Sequence, residues 1–404
     1  MPVPFNKLSL DGTELEYIIE ALASGTSGNG RFTRSCQEIL ARQLPAQCVM
    51  LTTSCTAALE MSAILANLRQ GDEVIMPSYT FTSTANAVVL RGAVPVFVDI
   101  RSDTLNIDEA LIENAITERT RAICVVHYAG VGCEMDKIVS LARQYDLALI
   151  EDAAQGFGAL YRGRALGTFG QLGALSFHET KNIISGEGGA LIINDPTLVE
   201  RAEVVWEKGT NRVAFASGLV DKYSWVDIGS SFLPNEITAA FLYAQLAAAQ
   251  RITERRKRAW MRYQRAFADL EVEGLLRCPF VPPHCEANGH IFYVLAPDRD
   301  MRARWLRELK AYGVNAIIHY VPLHNAPAGR NFGRVAVPMT VTNDTADRLI
   351  RLPMFADLSE NAQDEVINAV RELALSTRRH RSTRASEALA VDRPNPSARR
   401  SPPS

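Results

Sequence analysis

Between residues 48 and 195 the chain alternates short, uninterrupted apolar runs with stretches of helical spacing, and few folds accept that pattern. The runs are CVMLTTS (48–54), EVIMPS (73–78), VPVFVDI (94–100), RAICVVHY (121–128), LALIEDAA (147–154), ALSFHE (174–179) and GGALIIND (188–195). Apolar runs with no polar alternation mark strands covered on both faces. Thr82–Arg91, Asp108–Ile116, Glu134–Tyr145 and Pro196–Lys208 supply helices between or after them. Short links between such units require crossovers, which gives an α/β fold whose mostly parallel sheet is flanked by helices.

The flanking segments complete the plan. A helix opens at SLDGTELEYIIEALASG, with Asp11 as its cap and Leu15, Ile18, Ile19 and Leu22 at helical spacing, and ends in the flexible loop Gly25–Gly30. GTNR (209–212) opens a polar, aromatic-bearing loop that runs to Gly229. One long helix is expected from Glu236 to Phe267, its charge run RITERRKR being a solvated face. A smaller α/β lobe follows, with strands at HIFYVLAP (290–297) and NAIIHYVPLH (315–324), a helix at RARWLRELKAYG, the segment TADRLIRLPMF and a last helix, Glu360–Ala374. The expected domains are therefore 1–250, the large domain, and 251–375, the smaller C-terminal one. The stretch 376–404, rich in arginine, serine and proline, lacks the large apolar residues needed to fold and is expected to be disordered.

Composition narrows the class. The chain has 404 residues, 47% of them hydrophobic, enough for a large core. Its 43 basic and 45 acidic residues leave a net charge of −2, which gives no reason to expect nucleic acid or anionic lipid as a partner. No apolar run reaches the roughly 18 residues of a membrane span, and the N-terminus lacks a signal-peptide layout. Seven scattered cysteines without a CxxC pair fit reduced thiols in a cytoplasm. No histidine spacing suggests a metal, so His127 and His178 read as structural.

Ligands in sheets of this kind bind beyond the carboxyl ends of the strands. Thr52–Thr56, Ser78–Phe81, His127–Tyr128, Asp152–Gln155 and Ser176–Lys181 all fall there. Lys181 sits in SFHETKNIISGEGGA, after an apolar run and before a glycine cluster. Ser54–Thr56 start a helix, whose free N–H groups and positive dipole end suit an anion. Taken singly, each residue has an ordinary explanation: Asp152 as a cap, Lys181 as a surface lysine, Ser176 and Phe81 as core. Gathered at one sheet edge, they match the needs of pyridoxal phosphate (PLP). That cofactor takes a lysine to carry it and exchange protons, a carboxylate for the pyridine nitrogen, donors for the phosphate and a flat neighbour for the ring. Lys181 and Asp152 suit the first two needs. Gln155 could donate to the ring hydroxyl, Ser176 and the Cys55–Thr56 turn could hold phosphate, and Phe81 or Tyr79 could stack.

EDAAQ (151–155), SFHETKN, GEGGA and SCTAALE resemble the DegT/StrS family of PLP-dependent nucleotide-sugar aminotransferases, a resemblance that runs from about Val3 to Ala374. It implies the fold-type I architecture and a homodimer with active sites at the subunit interface. It also implies Lys181 as catalytic and cofactor-carrying residue, Asp152 as pyridinium partner, Gln155 beside the ring hydroxyl, Cys55, Thr56 and Ser176 at the phosphate, and Phe81 on the ring. Relatives send an asparagine to the partner's phosphate from a G-x-N-x-R segment. Here the segment reads GSSFL, with Ser231 at that position, and Cys55 stands where relatives usually carry glycine. PSYTFTSTANAVVLRGA, VHYAGVGCEMD, YRGRALGT, EKGTNR, VDKYSWVDIGSS and HYVPLHNAPAG are similar to the members that aminate dTDP-4-keto-6-deoxyglucose at C4 with glutamate as donor. Arg212, Lys222, His319, Tyr320 and His324 are the corresponding sugar-side candidates. Members that dehydrate sugars replace the lysine by histidine, so Lys181 favours transamination. The alternatives are a different keto nucleotide sugar, or a PLP-binding regulatory protein without turnover whose basic tail reaches a partner.

Overall fold

The computed structural model describes residues 2–391, with side chains through Arg378. Its centre is an eight-stranded sheet built from β1 (Cys48–Thr52), β2 (Glu73–Pro77), β3 (Val94–Val98), β4 (Thr120–Val126), β5 (Ala148–Asp152), β6 (Leu172–Ser176) and β7 (Gly189–Ile193). A separate antiparallel pair is formed by β8 (Phe292–Leu295) and β10 (Leu349–Leu352), while the short β9 (Arg334–Val335) joins the large sheet. The sheet order is β1-β7-β6-β5-β4-β2-β3-β9, and β7 alone runs antiparallel to its neighbours.

Both faces of the sheet are buried, as the unbroken apolar runs require. Val74, Met76 and Phe97 pack on one side with Ala58, Met61 and Leu65 of the helix Cys55–Leu65. Ile75, Val96, Val98, Ile123 and Val125 pack on the other with Met135 and Ile138. A distinct cluster joins β8 and β10 to Trp305, Tyr263, Phe267 and Val370.

The opening helix, α1, spans Glu14–Ser24, and α2 spans Cys55–Leu65. Asp11 does not cap α1. The Glu14 carboxylate turns back instead and accepts from the Asp11 and Gly12 N–H groups at 2.7 and 2.8 Å. Leu15, Ile19 and Leu22 lie on an exposed face, while Ile18 packs inward. The single helix expected at 236–267 is two, α3 (Glu236–Ala247) and α4 (Ala249–Val272), broken at Ala248 with φ −93° and ψ 0°. Ala239, Leu242 and Leu246 of α3 serve a core with Phe32 and Cys36, whereas Ala259, Tyr263 and Phe267 of α4 serve the distant cluster around β8.

Residues 315–324 are also not a strand: one bridge, Ile317 to Arg351, is made before the chain turns at Tyr320. After α5 (Arg299–Ala311), the last helix, α6, runs from Glu360 to Val391. This corrects the expected start of disorder at Ser376. Thr377 lies one turn beyond Leu373 on the buried face, and the Trp305 Nε1–H donates to its hydroxyl at 3.3 Å. The remainder of that tail, 392–404, lies outside the described residues. No described helix is long and apolar enough to cross a membrane.

Candidate active site

Lys181 follows β6 in a loop closed on itself by backbone hydrogen bonds. Phe177 N–H donates to Gly188 O at 2.9 Å, Ser185 N–H to Phe177 O at 2.7 Å, and Lys181 N–H to His178 O at 2.9 Å. Gly186, at φ +79°, lets the chain reverse there. The lysine thus enters a cavity of about 540 Å³ lined by Ser54, Cys55, Thr56, Phe81, Asp152 and Gln155 among others. Burial pushes its amine below the usual lysine range, with Arg351 acting in the same direction and Cys55 and Asp152 opposing.

Asp152 ends β5 and is buried. Its Oδ2 accepts from the Thr84 hydroxyl at 2.7 Å and its Oδ1 from the Ala154 N–H at 3.1 Å. Thr84 is in turn paired with the Thr80 hydroxyl at 2.8 Å. Gln155 Oε1 accepts from Ala129 N–H at 2.7 Å, and its Nε2 donates to the Tyr320 hydroxyl at 2.9 Å.

The anion end of the cavity is the start of α2. Ser54 caps the helix, its Oγ accepting from Ala57 N–H at 3.1 Å. Helix geometry leaves the Cys55 and Thr56 N–H groups without an intrahelical acceptor. The sheet register sets Gly189 directly between Thr52 and Ser176. A Cβ on Gly189 would lie 2.4 Å from the Cys55 nitrogen, so glycine alone allows α2 to begin this close to β7. Thr56 Oγ1 pairs with Ser83 Oγ at 2.7 Å. Cys55 itself is buried, and burial raises its thiol well above the ordinary range.

His290, His319 and Tyr320 complete the lining, Tyr320 packing on a cluster that holds Tyr79 and Tyr128. His319 stacks on Tyr320 at 3.7 Å, and its Nδ1 pairs with the Tyr128 hydroxyl at 2.7 Å. Tyr320 has φ +42°, an uncommon conformation for an aromatic residue, and its neighbours hold it there. His290 Nδ1 pairs with Asn182 Oδ1 at 3.0 Å. Burial lowers both histidines well below their usual range, with Lys181 and Arg351 contributing, so both are neutral at pH 7. Among the described residues no group of three or more His, Cys, Asp or Glu side chains could hold a metal ion.

Of the residues singled out from the sequence, Cys55, Thr56, Phe81, Asp152, Gln155, Ser176, Lys181, His319 and Tyr320 line this one cavity. The other candidates do not reach it within the same chain. Ser231 and Arg212 line a second cavity of about 440 Å³ with Thr26–Asn29. A backbone bridge from Ser231 to Glu207 and an Arg212–Glu207 ion pair at 3.2 Å hold them there. Lys222 is exposed on the 209–229 loop. His324 lies outside both cavities, its Nδ1 paired with Ser78 Oγ at 2.6 Å. Sequence reasoning missed Thr84, His178, Thr180, Glu187, His290 and Arg351. Thr84, two residues into the helix beginning at Thr82, had a usable signal in the hydroxyl run TFTST. His290 and Arg351 had none, because only the tertiary fold brings their segments to Lys181.

These residues fit PLP. The buried amine, a carboxylate fixed by two donors, a helix N-terminus that a Cβ at Gly189 would displace, and Phe81 at the mouth, 58% exposed, meet its separate demands.

Comparison with known proteins gives a consistent picture. A model of the DegT/DnrJ/EryC1/StrS aminotransferase family matches residues 9–371. An uncharacterised protein of Methanocaldococcus jannaschii is 35% identical over 372 residues, covering 90% of this chain and 96% of that protein. The spore coat polysaccharide biosynthesis protein SpsC of Bacillus subtilis is 32% identical over 380 residues, covering 92% and 97%. Among solved structures, S. venezuelae DesV in complex with a ketimine intermediate is 31% identical and superposes with a TM-score of 0.84, covering 92% of this chain and 98% of that one.

Proposed function

Because this chain belongs to the DegT/DnrJ/EryC1/StrS aminotransferase family, we propose that it moves an amino group from glutamate to the C4 ketone of dTDP-4-keto-6-deoxyglucose, giving dTDP-4-amino-4,6-dideoxygalactose. The chain is a PLP-dependent sugar aminotransferase; the particular sugar is the proposal. The shared cavity of Lys181, Asp152 and the α2 N-terminus carries the aminotransferase reading, and the choice of sugar rests on the similarity of segments such as PSYTFTSTANAVVLRGA and HYVPLHNAPAG.

Bound there, PLP supplies an electron sink for the charge left when a neighbouring carbon loses its proton. Asp152 keeps a proton on the pyridine nitrogen, and Thr84 and Ala154 hold its two oxygens in place. The Cys55 and Thr56 N–H groups and the Ser176 hydroxyl would hold its phosphate. Phe81 would lie against its ring, and Gln155, tied to Ala129 and Tyr320, would meet its ring hydroxyl. Lys181, its proton affinity lowered by burial, takes the α-proton of the donor and later delivers a proton to C4 of the sugar. The face from which it delivers fixes the configuration of the new amine.

The working unit we propose is a homodimer. Leu15, Ile19 and Leu22 on α1, and Leu219 and Trp225 on the 209–229 loop, are exposed, Trp225 by 80%. In this reading a second copy covers them, and Ser231, Arg212 and Lys222 serve the partner's cavity rather than their own. The free cysteines favour a cytoplasmic setting. The name of SpsC supports a product used in polysaccharide synthesis.

The test is to supply glutamate and a panel of 4-keto and 3-keto sugar nucleotides, measure 2-oxoglutarate, and read the product configuration by NMR. Preferential turnover of dTDP-4-keto-6-deoxyglucose to the galacto amine is the expected result. Turnover of other keto sugars alone would replace the assigned substrate. No turnover at all would favour the regulatory reading.

A further inference from the structure

Two arginines lie beside this cavity, Arg256 buried and Arg351 half-buried, and they are treated differently. Arg256 on α4 is satisfied by carbonyls, its Nη2 donating to His290 O at 2.6 Å and Met354 O at 3.2 Å, and its Nε to Gly289 O at 3.2 Å. Arg351 on β10 lines the cavity itself, yet its Nε is sealed from solvent without a hydrogen-bond acceptor. Its guanidinium lies 4.9 Å from the Phe5 ring centroid. The ionisable groups around it are the Tyr128, Tyr320 and Tyr79 phenols, the Lys181 amine, His290, His319 and Arg256, and among the described residues no carboxylate pairs with it. A guanidinium in such surroundings is costly until an anion arrives, and its planar fork matches a carboxylate.

We infer that Arg351 receives the α-carboxylate of the amino donor. The argument rests on the transaminase reading of the cavity and on the shapes of its two substrates. In an α-amino acid the carboxylate is bonded to the carbon that must meet Lys181, so its binding group lies deep, near the lysine. In a sugar nucleotide the diphosphate is attached at C1, across the ring from the C4 ketone, so its binding groups lie toward the mouth. Arg351 lines the cavity with Lys181, His290 and Tyr320, close enough to Lys181 and His290 for its charge to lower the proton affinity of both. The guanidinium therefore recognises the donor, and the sugar nucleotide draws its anion contacts from elsewhere.

Arg351→Gln and Arg351→Lys in the PLP-loaded protein test this. Maleate, a non-reactive dicarboxylate, and dTDP are titrated calorimetrically into each, and the KM for glutamate and for the keto sugar are measured separately. Loss of a charged hydrogen-bonding pair predicts that Arg351→Gln weakens maleate binding and raises the glutamate KM by about 10- to 100-fold. Binding of dTDP and the sugar KM stay unchanged, and Arg351→Lys recovers part of the loss. Circular dichroism and cofactor absorbance establish that each variant is folded and loaded. If Arg351→Gln does not load, the Arg351→Lys titration decides alone. Unchanged maleate affinity, or a loss confined to dTDP, overturns the inference. A wild-type protein inactive with glutamate on every sugar would instead overturn the transaminase reading.

Discussion

The Thr84 hydroxyl donates to Asp152 Oδ2 over 2.7 Å, linking the first turn of the helix after Phe81 to the end of β5. One carboxylate oxygen is thereby fixed by a side chain that also receives support from Thr80. Thr84→Val removes the donor while keeping the branched shape. A hydrogen bond to a charged group is worth about 2 kcal/mol, so activity should fall about 30-fold. Asp152→Asn, which cannot hold the pyridine proton by charge, should fall further. Steady-state kinetics with a PLP titration of each variant check both.

Lys181 should cost the cofactor-free protein stability near neutral pH. Burial lowers its folded-state pKa below the ordinary 10.5, so between the two values the unfolded chain binds more protons. Stability from this group therefore rises with pH through that window. Cofactor-free Lys181→Met should melt above the wild type at about pH 7, and the gap should close toward about pH 10. The same variant should develop no visible absorbance with PLP and no turnover.

At Gly189 a single methyl group is the test. Gly189→Ala places it 2.4 Å from the Cys55 nitrogen and the Ser54 carbonyl carbon, backbone atoms that a rotamer change does not relieve. The start of α2 must shift, costing about 1–3 kcal/mol of stability. PLP affinity should drop along with the melting temperature.

Glu73 secures the sheet away from the site. Its carboxyl is pushed down to about 2, first by the hydrogen bond from Arg334 on β9, with Thr117 and Arg119 adding to it. A lowered folded-state pKa contributes stability above the ordinary carboxyl value that is lost as pH falls through about 2. Glu73→Gln should cost about 2 kcal/mol at neutral pH. Acid unfolding curves of the two proteins should converge as pH approaches about 2.

Ile19→Glu combined with Leu22→Glu places charge on the exposed face of α1. If a second copy covers that face, the double variant should sediment as a monomer and lose activity, while the wild type sediments as a dimer.

The sheet and the cofactor end of the cavity were legible because both follow from local pattern. Buried parallel strands are unbroken apolar runs, and their carboxyl ends hold Asp152, Ser176 and the loop of Lys181. The break at Ala248 was hidden because no glycine or proline marks it. Residues 315–324 read as a strand from their apolar content, but Tyr320 turns out of line to meet Gln155. In the sequence Arg351 is one residue of TADRLIRLPMF with nothing to set it apart. Its meaning lies in what surrounds it, and Phe5, Tyr79, Tyr128 and Tyr320 come from segments far apart in the chain. Ser231, Arg212, Lys222 and His324 stand out in the sequence by family position and polarity, and within one chain the fold does not carry them to Lys181.

Helix α4 begins in the core of the large sheet, where Ala249 and Ile252 pack, and ends in the core around β8, where Tyr263, Phe267 and Leu270 pack. Midway, Arg256 grips the carbonyls of His290 and Met354, the first a cavity residue and the second three positions beyond Arg351. One continuous rod thus spans both cores and clamps the far wall of the cavity. Swinging that wall away from Lys181 would mean bending the rod or releasing the buried clamp. The cavity behaves mechanically as a fixed jaw, and traffic of donor and sugar through its mouth falls to the surface loops.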